Sequence, residues 1–138
     1  MDEEQMKSRC PKSSLVGTAR LDNHRLDFTH FSQTRQCGVP DIVPSPGDFI
    51  WGLVYRVTLE DIKGLDQIEG RGRSYERGYY TVRFLDGRKI GAHAYYVIQR
   101  QSYVPPNAEY LRLMRQAVIK HSFPEEYVKL VESFVPQG

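Results

Sequence analysis

The sequence predicts an α+β fold built around a mainly antiparallel or mixed sheet. Two observations carry this. Strand-like runs come in blocks, strands then one helix, strands then two helices, without the regular βαβ alternation of a doubly wound sheet. Asp86-Gly87 sits between two β-patterned runs and is a strong hairpin signal. At 138 residues the chain fits a single domain, residues 1–138. Leu, Ile, Val and Phe make up about a quarter of it, above the roughly 20% below which chains stay disordered, so a packed core is expected.

The elements follow in order. Asp2 to Arg9 can form a short helix, stopped by Pro11. Leu15–Leu21 and His24–Phe28 alternate as strands around a turn near Asp22-Asn23. Phe31 to Gly38 is polar and reads as a loop; Val39–Val43 is short and apolar; Pro44-Ser-Pro-Gly-Asp48 is a turn cluster. Phe49–Val57, apolar or aromatic at almost every position, is the best central strand. Thr58 then caps a helix in the manner of a capping box, with Asp61 in place of the usual Glu or Gln. Leu59, Ile62 and Leu65 give that helix its apolar stripe, and Gly70 suits its end.

Gly70 to Gly78 is rich in Gly and Arg and reads as a loop. Tyr79–Leu85 and Ile90–Ile98 are the two arms of the Asp86-Gly87 hairpin. Pro105-Pro106 breaks the chain, and Asn107 can cap a helix whose inner face carries Tyr110, Leu111, Met114, Val118 and His121. Pro124 fits the first turn of a last helix, with Tyr127, Leu130, Val131 and Phe134 inward.

Composition narrows the function. Nineteen Lys and Arg against seventeen Asp and Glu leave a formal charge of +2, which makes no general electrostatic case for nucleic acid. The longest strongly apolar stretch, Phe49–Tyr55, is far short of the roughly 20 residues of a membrane helix. The acidic Met-Asp-Glu-Glu start has no apolar run behind it and does not read as a signal peptide. Cys10 and Cys37 lack metal-type spacing and cannot make a disulfide framework, so a reducing, cytoplasmic setting is expected.

Few residues offer chemistry. Glu69 ends the helix that begins at Thr58, where the helix dipole is negative and Lys or Arg would be favoured. An acid placed there is harder to ionise, which suits a carboxyl group that must both take and give a proton. Read alone, it is more readily an ordinary exposed glutamate beside a glycine cap, at a cost of only ~0.3–1 kcal/mol. Tyr75, Tyr79, Tyr80, Tyr95 and Tyr96 gather around one hairpin; they could line a pocket, or be ordinary strand aromatics. The Arg71–Arg77 stretch could meet phosphate, but reads better as a solvated flexible loop. The four histidines show no ligand spacing, so no metal site is expected. There is no nucleophile elbow, Walker A loop or Gly-x-Gly-x-x-Gly. Cys37 reads as an incidental or buried thiol rather than a reactive one.

Taken together, several segments resemble the gamma-glutamylcyclotransferase-like family. They are Val16-Gly-Thr-Ala-Arg-Leu21 with Leu26-Asp-Phe28, Pro40-Asp-Ile-Val-Pro-Ser-Pro-Gly-Asp48 with Trp51-Gly-Leu-Val-Tyr55, and Leu65-Asp-Gln-Ile-Glu-Gly70. Tyr95, Pro105 with Tyr110, and Phe123-Pro124 with Tyr127 and Leu130 continue the match, which runs from Met6 to Phe134. The resemblance implies a small β-barrel-like α+β fold with flanking helices. It implies release of 5-oxoproline from a gamma-glutamyl substrate, with Glu69 as general acid and base, Tyr75 and Tyr95 as substrate-binding residues, and no metal or other cofactor.

Members of the family begin with a strand ending in a Tyr-Gly-Ser-Asn-type loop, which has no counterpart in this sequence. The expectation is that this segment is encoded just before Met1. A barrel short of one strand should be marginally stable, weakly active and prone to pair as a homodimer through its open edges. The alternatives are a non-catalytic binding module on the same fold, and a small RNA-binding barrel that rests on the Arg/Gly loop alone. Gamma-glutamyl amino acids, gamma-glutamylamines, glutathione and specialised conjugates are all open as substrates. The loops at Phe31–Gly38 and Arg71–Arg77 are the expected lining of the outer pocket.

Overall fold

The computed structural model describes residues 3–137. A short helix α1 (Glu3–Arg9) leads into β1 (Ser14–Ser32) and β2 (Cys37–Arg56). Asp2, where the sequence reading starts the first helix, lies outside the described residues. β1 and β2 form one long antiparallel hairpin, paired from Ser14 opposite Arg56 to Ser32 opposite Cys37. Strands this long must bend, and bulges allow it. The ladder shifts register between Leu15 and Gly17, between Asp22 and His24, and between Phe28 and His30.

The middle shift replaces the turn expected at Asp22-Asn23. Asn23 takes a left-handed conformation, φ 61°. Its side-chain oxygen accepts from the Gly47 N–H at 3.1 Å. The pairing jumps from Asp22–Phe49 to His24–Pro44, so the residues between Pro44 and Phe49 bulge outward. Two turn-prone sequences face each other across the ladder, and both strands run on through them.

The helix α2 (Leu59–Glu69) follows, with both capping-box bonds between Thr58 and Asp61 present and Gly70 closing it at φ 68°. β3 (Tyr75–Phe84) and β4 (Lys89–Val97) make the second hairpin. β3 begins at Tyr75, four residues before the sequence suggests. Gly78 interrupts the β pattern in the sequence, but in the strand it makes room for an aromatic ring. A Cβ there would lie 2.6 Å from the Tyr80 hydroxyl.

The strand order is β2-β1-β3-β4, with β1 joined to β3 only through Ala19–Phe84 and Arg20–Arg83. This is an open four-stranded antiparallel sheet, which corrects the expected barrel: β2 and β4 are its two outer strands and do not pair with each other. A side chain links them instead, the Asp41 carboxylate accepting from the Val97 N–H at 2.8 Å. An apolar cavity of about 280 Å³, walled by Leu26, Trp51, Val82, Ala94 and Met114, opens between the strands and the helices.

Two helices cover the long hairpin. In α3 (Ala108–Lys120), capped by Asn107, the buried residues are Leu111, Met114, Ala117 and Val118. In α4 (Glu125–Ser133) they are Tyr127 and Val131. With Phe28, Trp51 and Phe123 these form the main core. Leu130, expected inward, is 40% exposed, because the buried stripe of this short helix is the Tyr127–Val131 pair four residues apart. Pro124 takes the N-cap position rather than the first turn, at φ −52° and ψ 140°. No described helix is long and apolar enough to cross a membrane.

The segment after β4 returns beside β1, with Gln101 N–H donating to Thr29 and Val104 N–H to Phe28. It passes directly over Gly38, whose N–H donates to the Pro105 carbonyl at 2.9 Å. A Cβ on Gly38 would meet the Val104 carbonyl oxygen at 1.7 Å, a backbone contact that no rotamer change relieves. Gly38→Ala should therefore cost roughly 1–3 kcal/mol of stability in chemical denaturation, as overpacked sites do. An unchanged midpoint would show that the returning segment moves aside freely.

Candidate active site

Glu69 is the last residue of α2, and the chain turns away immediately after it at Gly70. Its side chain lies on the wall of a cleft of about 900 Å³. Arg9, from the end of α1, and Arg35, from the turn between β1 and β2, line the same cleft with Gln5, His30 and Arg73. Tyr75, Tyr95 and Tyr110 complete it. The three residues singled out from sequence, Glu69, Tyr75 and Tyr95, are thus brought to one cavity by α2, β3 and β4. Parts of both expected outer loops are there too, as Ser32–Arg35 and Arg73–Tyr75.

Burial pushes the Glu69 carboxyl above the ordinary range of a glutamate, and the charges of Arg9 and Arg35 pull it partly back. Among the described residues the Arg9 guanidinium pairs with it, 3.7 Å from Oε1. The direction is the one expected from sequence, but the leading cause is desolvation rather than the helix dipole. Arg35 also lies over the Tyr110 ring, 5.0 Å from its centroid. Burial pushes the Tyr110 hydroxyl up to about 12.

The two strand tyrosines have their protons engaged. Tyr75 donates to the Pro40 carbonyl at 3.4 Å, with its ring edge-on to His30. Tyr95 donates to Asp66 Oδ1 at 2.6 Å. Burial, then this hydrogen bond, holds the Tyr95 hydroxyl well above the usual tyrosine range. Burial also works against the charge on Asp66. The bond from Tyr95 and the nearby Arg71 and Arg77 outweigh it and hold the carboxyl below the aspartate range. Arg71 Nη1 is 3.2 Å from Asp66 Oδ2, Arg77 Nε is 3.4 Å from Oδ1, and Arg71 Nε reaches Glu76 at 2.7 Å.

That network corrects the reading of Arg71–Arg77 as a solvated flexible loop. Its second half is strand, and Arg71 and Arg77 are committed to internal carboxylates. Sequence reasoning missed Asp66, Arg9 and Arg35 as neighbours of Glu69. Only Asp66 carried a local signal, three residues before Glu69 on the same helix face. Cys37 is fully buried. Among the described residues no group of three His, Cys, Asp or Glu side chains could hold a metal ion.

Residues 49–131 match the AIG2-like family. The gamma-glutamylcyclotransferase of Bos taurus is 30% identical over 138 residues, spanning 96% of this chain and 73% of the relative. That of Homo sapiens is 28% identical with the same shares covered. A solved gamma-glutamyl cyclotransferase superposes with a TM-score of 0.90 at 26% identity, over 98% of this chain and 82% of its own. YkqA from Bacillus subtilis shares the fold at a TM-score of 0.76 and 19% identity, over 99% of this chain and 50% of its own.

Proposed function

Because the chain belongs to the AIG2-like family and its curated relatives are gamma-glutamylcyclotransferases, we propose that it cyclises a small gamma-glutamyl substrate. The substrate's own α-amine attacks its side-chain amide carbonyl. A new C–N bond closes a five-membered ring, the old amide C–N bond breaks, and 5-oxoproline leaves with a free amine. Nucleophile and electrophile share one molecule, and such geometry can replace ~7–11 kcal/mol of barrier. Little remains for the protein beyond holding the substrate and moving one proton.

Glu69 is the group for that proton. It takes one from the attacking amine and returns one to the departing nitrogen, so the carboxyl ends as it began. A proton affinity raised by burial suits this double duty better than an ordinary exposed carboxylate. The observation that carries the reading is the position of the Glu69 carboxyl in a cleft with Tyr75, Tyr95 and the guanidinium groups of Arg9 and Arg35. The test is incubation with gamma-glutamyl-alanine and chromatographic detection of 5-oxoproline. Binding without release of 5-oxoproline would favour the non-catalytic module instead.

The cleft charges give a pH test. Glu69 accepts a proton only as the carboxylate, so kcat/KM should rise as pH passes upward through its pKa. Arg9 holds that pKa down. Arg9→Gln should therefore move the acidic limb of the profile to higher pH. A limb that stays in place, or moves to lower pH, would separate Glu69 from the titrating group.

A further inference from the structure

We propose that Asp66 is a positioning residue that makes Tyr95 a hydrogen-bond acceptor toward the cleft, so that Tyr95 and Glu69 together receive the substrate's α-amino group. The proposal rests on the cyclotransferase reading of the cleft and adds which end of the substrate lies where. A tyrosine hydroxyl has one proton to give. In Tyr95 that proton points at Asp66 Oδ1 across 2.6 Å, the short distance of a bond to an ionised acceptor. Asp66 is kept ionised by Arg71 and Arg77 and is 14% exposed, so water offers it little alternative. What Tyr95 presents to the cleft is therefore lone-pair density.

Tyr75 has the same polarity, its proton turned to the Pro40 carbonyl. The cleft wall around Glu69 thus gathers a carboxylate and two phenol oxygens, all acceptors. Guanidinium donors stand elsewhere on the wall: Arg9 from α1, Arg35 from the β1–β2 turn and Arg73 from the segment before β3. An amine carries N–H donors and fits among the acceptors, and a carboxylate fits the arginines. A substrate amine held between Tyr95 and Glu69 is delivered to the group that must deprotonate it.

The test uses two inert ligands and a turnover assay. One ligand is the sulfonamide isostere of gamma-glutamyl-alanine, which cannot be closed to the lactam. The other is the same isostere with hydrogen in place of the α-amine. Calorimetry on the wild type should show the amine-bearing ligand bound more tightly. Tyr95→Phe should weaken it by about tenfold, the scale of one hydrogen bond to a charged group. It should leave the desamino ligand within about twofold, far less than one hydrogen bond is worth. Asp66→Asn, which lets the side-chain amide donate to Tyr95 and turns the phenol proton outward, should show the same selectivity. In ¹³C-tyrosine NMR it should also move one tyrosine titration to lower pH, a change that simple loosening of the fold would not confine to one residue. Equal weakening of both ligands, no weakening, or no preference for the amine in the wild type would overturn the proposal. Turnover of gamma-glutamyl-alanine is scored separately. Amine selectivity without turnover sinks the cyclotransferase reading and leaves the acceptor site, and turnover without selectivity does the reverse.

Discussion

Glu69→Gln is expected to lower 5-oxoproline release by about 10²–10⁴-fold, the range that a positioned acid–base group supplies, without lowering the melting temperature at neutral pH. The amide has nearly the shape of the acid but cannot take a proton from the amine and return it. The stability side follows from the direction of the pKa shift. A carboxyl whose pKa is raised on folding binds more protons in the native state than in the unfolded one between the two pKa values. Its contribution is fully present below the unfolded pKa and is lost as pH rises through the folded one. Above its folded pKa the ionised Glu69 is therefore a burden on the fold, and a neutral glutamine removes it. The pair with Arg9, at 3.7 Å and with both side chains partly exposed, is too weak to reverse this. Activity within a few-fold of the parent at unchanged melting temperature would remove Glu69 from the chemistry.

The sequence showed what was local. Thr58, Asp61, Gly70, Asn107 and the Asp86-Gly87 turn each fix a helix end or a hairpin through bonds within a few residues, and each stands where the reading placed it. Glu69 could be singled out for the same reason: its oddity is its position on its own helix. The long hairpin was less legible. Asn23 and the Pro44–Asp48 segment carry turn chemistry, and only their meeting across the ladder makes them a bulge in two continuous strands. Barrel closure was expected from resemblance and not from any residue pattern, since which strands lie outermost depends on pairings far apart in the chain. Arg9 and Arg35 were hidden because a basic side chain in a helix or a polar turn has no periodicity to betray it. Only the folded chain brings them to Glu69, Arg9 at 3.7 Å and Arg35 on the wall of the same cleft.

Asp41→Ala is expected to cost about 3 kcal/mol, the largest loss of stability from a single side chain outside the apolar core. Asp41 is 2% exposed and stands on β2, next to the Pro40 carbonyl that Tyr75 uses. Its carboxylate accepts from the Thr29 hydroxyl on β1 at 2.8 Å and from the Val97 N–H at the end of β4 at 2.8 Å. The Arg100 guanidinium donates to the same carboxylate at 2.7 Å and to the Ile42 carbonyl at 3.1 Å. Three donors from three parts of the chain thus converge on one buried acid, and one of them, the Val97 N–H, joins the two outer strands of an open sheet. Removing it leaves a buried hydroxyl and a fixed backbone N–H without their acceptor, each worth roughly 1–3 kcal/mol. Arg100, 36% exposed, can turn to water, which keeps the loss below that of a fully buried broken pair. For the same reason Arg100→Ala should be the milder change. The comparison is made by urea denaturation of both variants. An Asp41→Ala protein within about 1 kcal/mol of the parent would show that hairpin pairing alone holds the sheet. If the expected loss is found, its effect should reach the cleft. With Pro40 no longer anchored through Asp41, the Tyr75 contact loosens, and KM for gamma-glutamyl-alanine should rise well below the unfolding midpoint.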